Sequence, residues 1–118
     1  MLVFRDIRVF TGEDVIRSAE VTVAAGVIVS VADIARGRTP APGDEVIEGR
    51  GRTLLPGLID AHAHVFPGDL EQAALFGVTT VLDMMSDPAQ AKALRETGGA
   101  DLRTAGTAAT VPGGYVCM

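Results

Sequence analysis

Leu54-Leu55-Pro56-Gly57-Leu58-Ile59-Asp60-Ala61-His62-Ala63-His64 is the stretch on which the fold turns. After the Pro-Gly break, residues 58–65 read as one apolar strand, and it carries both histidines of the 118-residue chain. Side chains of a strand alternate with period two, so Asp60, His62 and His64 are expected on one face, with Ala61 and Ala63 on the other. Two neutral imidazoles two positions apart can grip a single divalent ion, and the small alanines leave room for helices to pack behind them. The blander alternative is a histidine that merely satisfies a polar position. It is weakened because both rings fall in one apolar strand, where burial without a metal or good partners is costly. Asp60 either orients a ligand from behind or hydrogen-bonds the start of the strand, with about equal weight.

Downstream, the pattern alternates. Residues 69–76 suit a short helix closed by Gly77, and residues 78–83 a β-branched strand. A helix over 88–97 follows, with Ser86 or Asp87 as N-cap, Pro88 in its first turn and Gly98 and Gly99 as its stop. A third strand spans 101–105. Strand, helix, strand, helix, strand is the order of βαβ units in a parallel sheet. Asp83 ends the second of these strands, placed either for a functional role at the strand end or to cap the loop that follows.

Upstream everything is β. Residues 2–10 alternate, with Ile7 and Val9 set against Asp6 and Arg8. A turn at 11–14 precedes two β-rich runs, 19–24 and 27–33, joined at Ala25-Gly26 as a hairpin, with Val27, Val29 and Val31 on one face. An exposed loop is expected over 36–44, then short strands at 45–48 and 53–55. The change of grammar near Pro56 divides the chain into residues 1–55 and 56–118.

Composition limits the function. With 47% hydrophobic and 21% charged residues the chain is of the globular kind. Its net charge of -5, with the arginines scattered, argues against a nucleic-acid partner. Arg5 and Asp6 follow the first four residues at once, which leaves no signal-peptide core, and no run is long enough to span a membrane. Cys117 is the single cysteine, so neither a disulfide framework nor a Cys-X-X-Cys site exists, and a cytoplasmic location is expected.

The run 54–64 resembles the start of the barrel in the amidohydrolase superfamily of metal-dependent hydrolases. Ala24-Ala25-Gly26-Val27-Ile28-Val29-Ser30-Val31 is similar to that family's early hairpin, and Gly77-Val78-Thr79-Thr80-Val81-Leu82-Asp83 to its second barrel strand. Residues 104–114 look most like the group of imidazolonepropionase and the metal-dependent Xaa-Pro dipeptidases, although Tyr115 stands where many relatives carry a histidine, and Pro112 to Gly114 also read as a plain turn.

The resemblance implies an α/β fold in which residues 1–55 are part of a small β-sandwich. Residues 56–118 would then be the first three strands of a (β/α)₈ TIM-type barrel, incomplete in this chain. It implies His62 and His64 as ligands of a divalent metal, zinc first, with one or two ions in the complete protein. Asp60 would stand behind the ligands and Asp83 on the catalytic rim. The reaction it implies is hydrolysis of an amide or cyclic amide C–N bond in a small molecule by metal-activated water.

The same resemblance asks for a bridging lysine or glutamate, further histidines and a general-base aspartate, none of which can be assigned here. Lys92 is the only lysine and falls inside a helix. A catalytic zinc site usually has three protein ligands, and a full barrel takes about 250 residues. The isolated chain is therefore expected to be inactive. A truncated, inactive fragment, or a structural or binding module of the same ancestry, is the alternative reading. Exposed sheet edges also suggest a homo-oligomer.

Overall fold

The computed structural model describes residues 1–109, 111 and 112, and shows a mixed α/β chain made mostly of strands. Thr110, the Gly113-Gly114 pair, Tyr115 and Cys117, all singled out in the sequence, lie outside the described residues. The chain forms two compact units, Met1–Pro56 and Gly57–Met118.

The first unit is a sheet built on β1 (Leu2–Phe10), with β2 (Val15–Ala24), β3 (Val27–Asp33), β4 (Glu45–Glu48) and β5 (Thr53–Leu54). The order is β3-β2-β1-β4, and β5 pairs with β1 beyond β4. β2 and β3 run antiparallel to their neighbours, whereas β4 and β5 run parallel to β1. Ile7, Val9, Ala19 and Val21 form its core, with Phe4, Ile16 and Leu54 packed against them.

β2 begins at Val15, four residues before the sequence pattern suggests, because Val15 and Ile16 pair with Phe10 and Val9. Only a tight turn remains, in which the Thr11 hydroxyl accepts from the Asp14 amide. The β2–β3 connection is a two-residue loop with positive φ at both Ala25 (48°) and Gly26 (76°). That backbone twist matches the right-handed twist of paired strands, so it sets the hairpin register. Val27, Ile28, Val29 and Val31 of β3 are 45 to 62% exposed. Neither face of this strand is covered among the described residues, so the one-sided burial that alternation suggests is not realised.

Polar contacts fix the loop before β4. Glu20, almost fully buried, pairs with the Arg5 guanidinium at 3.2 Å and accepts from the Arg38 amide at 2.9 Å. Asp44 accepts from Arg38 at 2.5 Å, from the Ala41 amide at 2.7 Å and from the Met1 amino group at 3.1 Å. The Arg38 bond, then the Ala41 and Met1 donors, hold the Asp44 carboxyl well below the usual carboxylate range.

The second unit is a parallel sheet in the order β6-β7-β8, from β6 (Leu58–Ala63), β7 (Val78–Asp83) and β8 (Asp101–Thr104). Helix α1 (Asp69–Leu75) connects β6 to β7, and α2 (Pro88–Arg95) connects β7 to β8. Val65, Leu70, Val81, Ala91, Leu94, Ala100 and Leu102 form the core between helices and sheet. Burying a leucine of this kind is worth about 1.5–3 kcal/mol.

Asp87 is the N-cap of α2, accepting from Ala89 and Gln90 amides, with Pro88 following it. Its short side chain reaches orphan N–H groups that no earlier carbonyl can satisfy. The chain leaves α2 through Gly98 and Gly99 and returns to α1, where the Ala100 amide donates to the Leu70 carbonyl at 3.0 Å.

Candidate metal centre

β6 presents the histidines at one end of the parallel sheet. His62 lies within the strand and His64 directly after it, the strand stopping at Ala63 instead of Val65. Their ring centres are 5.6 Å apart and the planes nearly perpendicular, at 84°. Two imidazoles bound to one ion at about 2.0–2.1 Å, in a tetrahedral arrangement, have ring centres roughly 5 Å apart. The donor type and the distance between the ring centres are thus compatible with a shared divalent ion. Among the described residues no group of three His, Cys, Asp or Glu side chains is gathered as a ligand set.

Two expectations meet a different arrangement. Both imidazoles are exposed. β6 has β7 as its one strand partner among the described residues, so an apolar sequence does not bury it. The cost of burying unpartnered imidazoles therefore gives no support to a metal role here. The alternation is also interrupted, because the β6–β7 register slips between Leu58 and Ile59 and again between Asp60 and Ala63. A cavity of about 300 Å³ against α1 is lined by residues of both parities, Asp60, Ala63, His64 and Val65 among them, together with Asp69, Gln72 and Phe76. His62 is not part of that lining.

Asp60 turns its carboxylate back on the strand, where Oδ1 accepts from the His62 amide at 3.1 Å. That bond ties Asp60 to the backbone of one histidine and not to a ring nitrogen.

Asp83 is only 1% exposed, and every donor around its carboxylate comes from another segment of the second unit or from the loop just after it. Oδ1 accepts from the Val65 amide at 3.3 Å. Oδ2 accepts from the Thr104 hydroxyl at 2.6 Å, the Ser86 amide at 2.8 Å and the Met85 amide at 3.3 Å. Burial pushes this carboxyl up, but the bonds from Thr104, Ser86 and Val65 outweigh it and leave it below the ordinary aspartate value. A smaller cavity of about 60 Å³ lies between His64 and this carboxylate, walled by Phe66, Met85, Ser86 and Gln90. Sequence reading had no means to find these wall residues, since they line up only once the loops after β6 and β7 are folded side by side.

No helix among the described residues is long and apolar enough to cross a membrane. No family model matches the chain. An adenine deaminase of Paracoccus denitrificans is 42% identical over 74 residues, which cover 58% of this chain and 12% of the deaminase. An imidazolonepropionase of Salinispora arenicola is 39% identical over 85 residues, 71% of this chain and 19% of that protein. The matched stretch thus spans under a fifth of either relative.

Among solved structures, a protein of Bifidobacterium longum assigned as a prolidase aligns with a TM-score of 0.86 at 23% identity, over 97% of this chain and 32% of its own. A mutant atrazine chlorohydrolase of Arthrobacter aurescens, complexed with zinc and atraton, aligns with a TM-score of 0.64 at 20% identity, over 89% of this chain and 35% of its own. At these identities the likeness of structure speaks for the fold alone.

Proposed function

We propose, from relatives and structural neighbours that point to the amidohydrolase superfamily and to its N-terminal part, that the intact protein is a metal-dependent hydrolase of an amide or cyclic amide C–N bond in a small molecule. His62 and His64 hold the divalent ion, and the observation that carries this is their ring separation of 5.6 Å at the end of a parallel strand. Zinc is the first choice of metal, supported by imidazole donors and by the zinc in the chlorohydrolase complex. Bound there, it would lower the pKa of a water and polarise the scissile carbonyl.

The protein's own groups have simpler tasks. Asp60 holds the His62 backbone, and Asp83 stands at the rim of the site, behind the loops that wall the cavity beside His64. In this reading residues 1–55 belong to a small β-sandwich and residues 56–118 open a (β/α)₈ barrel, whose active sites gather at the C-terminal ends of the strands. The remaining ligands and the general base are expected in the part of the protein that corresponds to the roughly two thirds of the neighbours lying outside the match. The kinds of enzyme among the relatives support a small-molecule substrate, and the single cysteine of the chain fits a cytoplasmic site of action.

A second reading has one observation in its favour. Among the described residues two imidazoles and no third donor are gathered, which favours reading the 118 residues by themselves as an inactive piece or binding module of the same ancestry.

Metal content of the intact protein and of a His62→Ala, His64→Ala double variant, measured by elemental mass spectrometry with circular dichroism as a folding control, decides the metal reading. The double variant should lose the ion, together with turnover on a panel of cyclic amides and Xaa-Pro dipeptides. Equal metal content in both would sink the assignment. Turnover by the purified 118 residues would sink the second reading.

A further inference from the structure

We propose that Asp83 is a positioning residue for the histidine pair, acting on His64 through the backbone N–H of Val65. The inference rests on the metal reading above and gives the second strand a task in it.

β6 ends at Ala63, so His64 stands where the ladder no longer fixes the chain. What fixes it next is threefold. The Ala63 carbonyl accepts from the Met84 amide at 3.0 Å, the Val65 side chain is buried in the core, and the Val65 amide donates to Asp83 Oδ1. The peptide between His64 and Val65 is therefore held from across the sheet, and with it the direction in which the His64 side chain leaves the backbone. Two rings share one ion only if both directions are set, so loosening this peptide acts on ion binding before it acts on the fold.

The two oxygens differ in their partners. Oδ1 accepts from the Val65 amide just after the histidines, while Oδ2 accepts from Thr104, Ser86 and Met85 and ties β8 and the loop before α2 to β7. A carboxylate taken up by this many donors is suited to holding the chain in place. Its charge strengthens each bond it accepts, and the bond to Val65 is the one that reaches the site. Partners behind metal ligands matter to affinity by about 10- to 100-fold.

That difference supplies its own control. Cobalt(II) titration of the intact apoprotein, followed by the visible ligand-field band, is compared for wild type, Asp83→Asn, Thr104→Val and the His62→Ala, His64→Ala double variant, with melting temperatures measured alongside. Thr104→Val removes a donor to Oδ2 and should cost stability while leaving cobalt affinity within about twofold of wild type. Asp83→Asn should weaken cobalt binding by about tenfold or more.

Cobalt binding unchanged in Asp83→Asn would overturn the proposal. So would an equal weakening in Thr104→Val, which would mark a general loosening of the unit. Should Asp83→Asn not fold, Asp83→Glu keeps the charge but moves it by one methylene, and the same weakening is required of it. If the double histidine variant keeps the band, the metal reading itself has failed, a result distinct from either of those.

Discussion

Gly98 and Gly99 provide a matched pair for measuring one close approach. Both have left-handed backbone, with φ of 89° and 94°, so alanine at either costs about 1–2 kcal/mol of conformational strain. Their surroundings differ. A Cβ on Gly98 would meet nothing within 4 Å, whereas one on Gly99 would lie 2.5 Å from the Leu70 carbonyl carbon and oxygen and 2.6 Å from the Glu71 nitrogen.

Comfortable carbon contacts begin at about 3.5 Å, so α1 would have to retreat by roughly 1 Å. That retreat strains the bond from the Ala100 amide to the Leu70 carbonyl, worth about 1 kcal/mol, and disturbs the packing of Leu70, worth about 1–3 kcal/mol. Gly99→Ala should therefore cost about 2–4 kcal/mol more than Gly98→Ala. The entropy that alanine removes from the unfolded chain is the same at both sites and cancels in the comparison. Urea unfolding of the intact protein, with the slope checked for constancy, reads the difference directly. Two variants agreeing within about 0.5 kcal/mol would refute the idea that α1 and the loop before β8 are in backbone contact at Gly99.

Two further outcomes follow from the first unit. Asp44 is held below its ordinary value, so the stability it contributes is fully present above the unfolded carboxylate pKa of about 3.9 and drains away as pH falls from there toward the lower folded value. The stability gap between wild type and Asp44→Asn should accordingly be widest near neutrality and close in acid; a gap independent of pH, measured by denaturant titration across the range, would contradict this. Ala25→Asn should raise stability by about 0.5–1 kcal/mol, because asparagine tolerates the positive φ that alanine endures in the two-residue hairpin loop, and a loss of stability would mean that the turn is of another kind.

Local chemistry made much of the fold legible. The bounds of β1, β3, β4 and β7 follow from alternation and flanking turn residues, and Pro88 marks the start of α2, because each depends on neighbours in sequence. What escaped depends on distant partners. β2 is longer than its pattern because Phe10 and Val9 pair with Val15 and Ile16. Asp6 has positive φ inside β1, where the register slips and the Ser18 hydroxyl donates to its carboxylate at 2.7 Å, and no alternation rule foresees that.

In the candidate site, the spacing of His62 and His64 was legible. Period two, however, is a property of regular strands, and the slipped register between Asp60 and Ala63 breaks it where the histidines sit. Asp83 was visible as a strand-end residue that either serves the rim of the site or caps the following loop, but its hydrogen-bond partners were not. Its task depends on Val65 and Thr104, 18 and 21 residues away, which no local rule connects to it.

β3 has a consequence for how the protein must be made. Val27-Ile28-Val29-Ser30-Val31-Ala32 is a proline-free, uncharged window of strong strand formers, and among the described residues it pairs only through β2. Such a window, emerging from the ribosome or released by partial unfolding, is a template on which copies of itself can stack. The tight turn at Ala25-Gly26 works against that outcome, since it delivers the window to β2 within the time of a local hairpin closure, about 1–10 μs, before another chain can arrive. Solubility of this protein is thus as much a matter of how fast one turn forms as of what its surface carries.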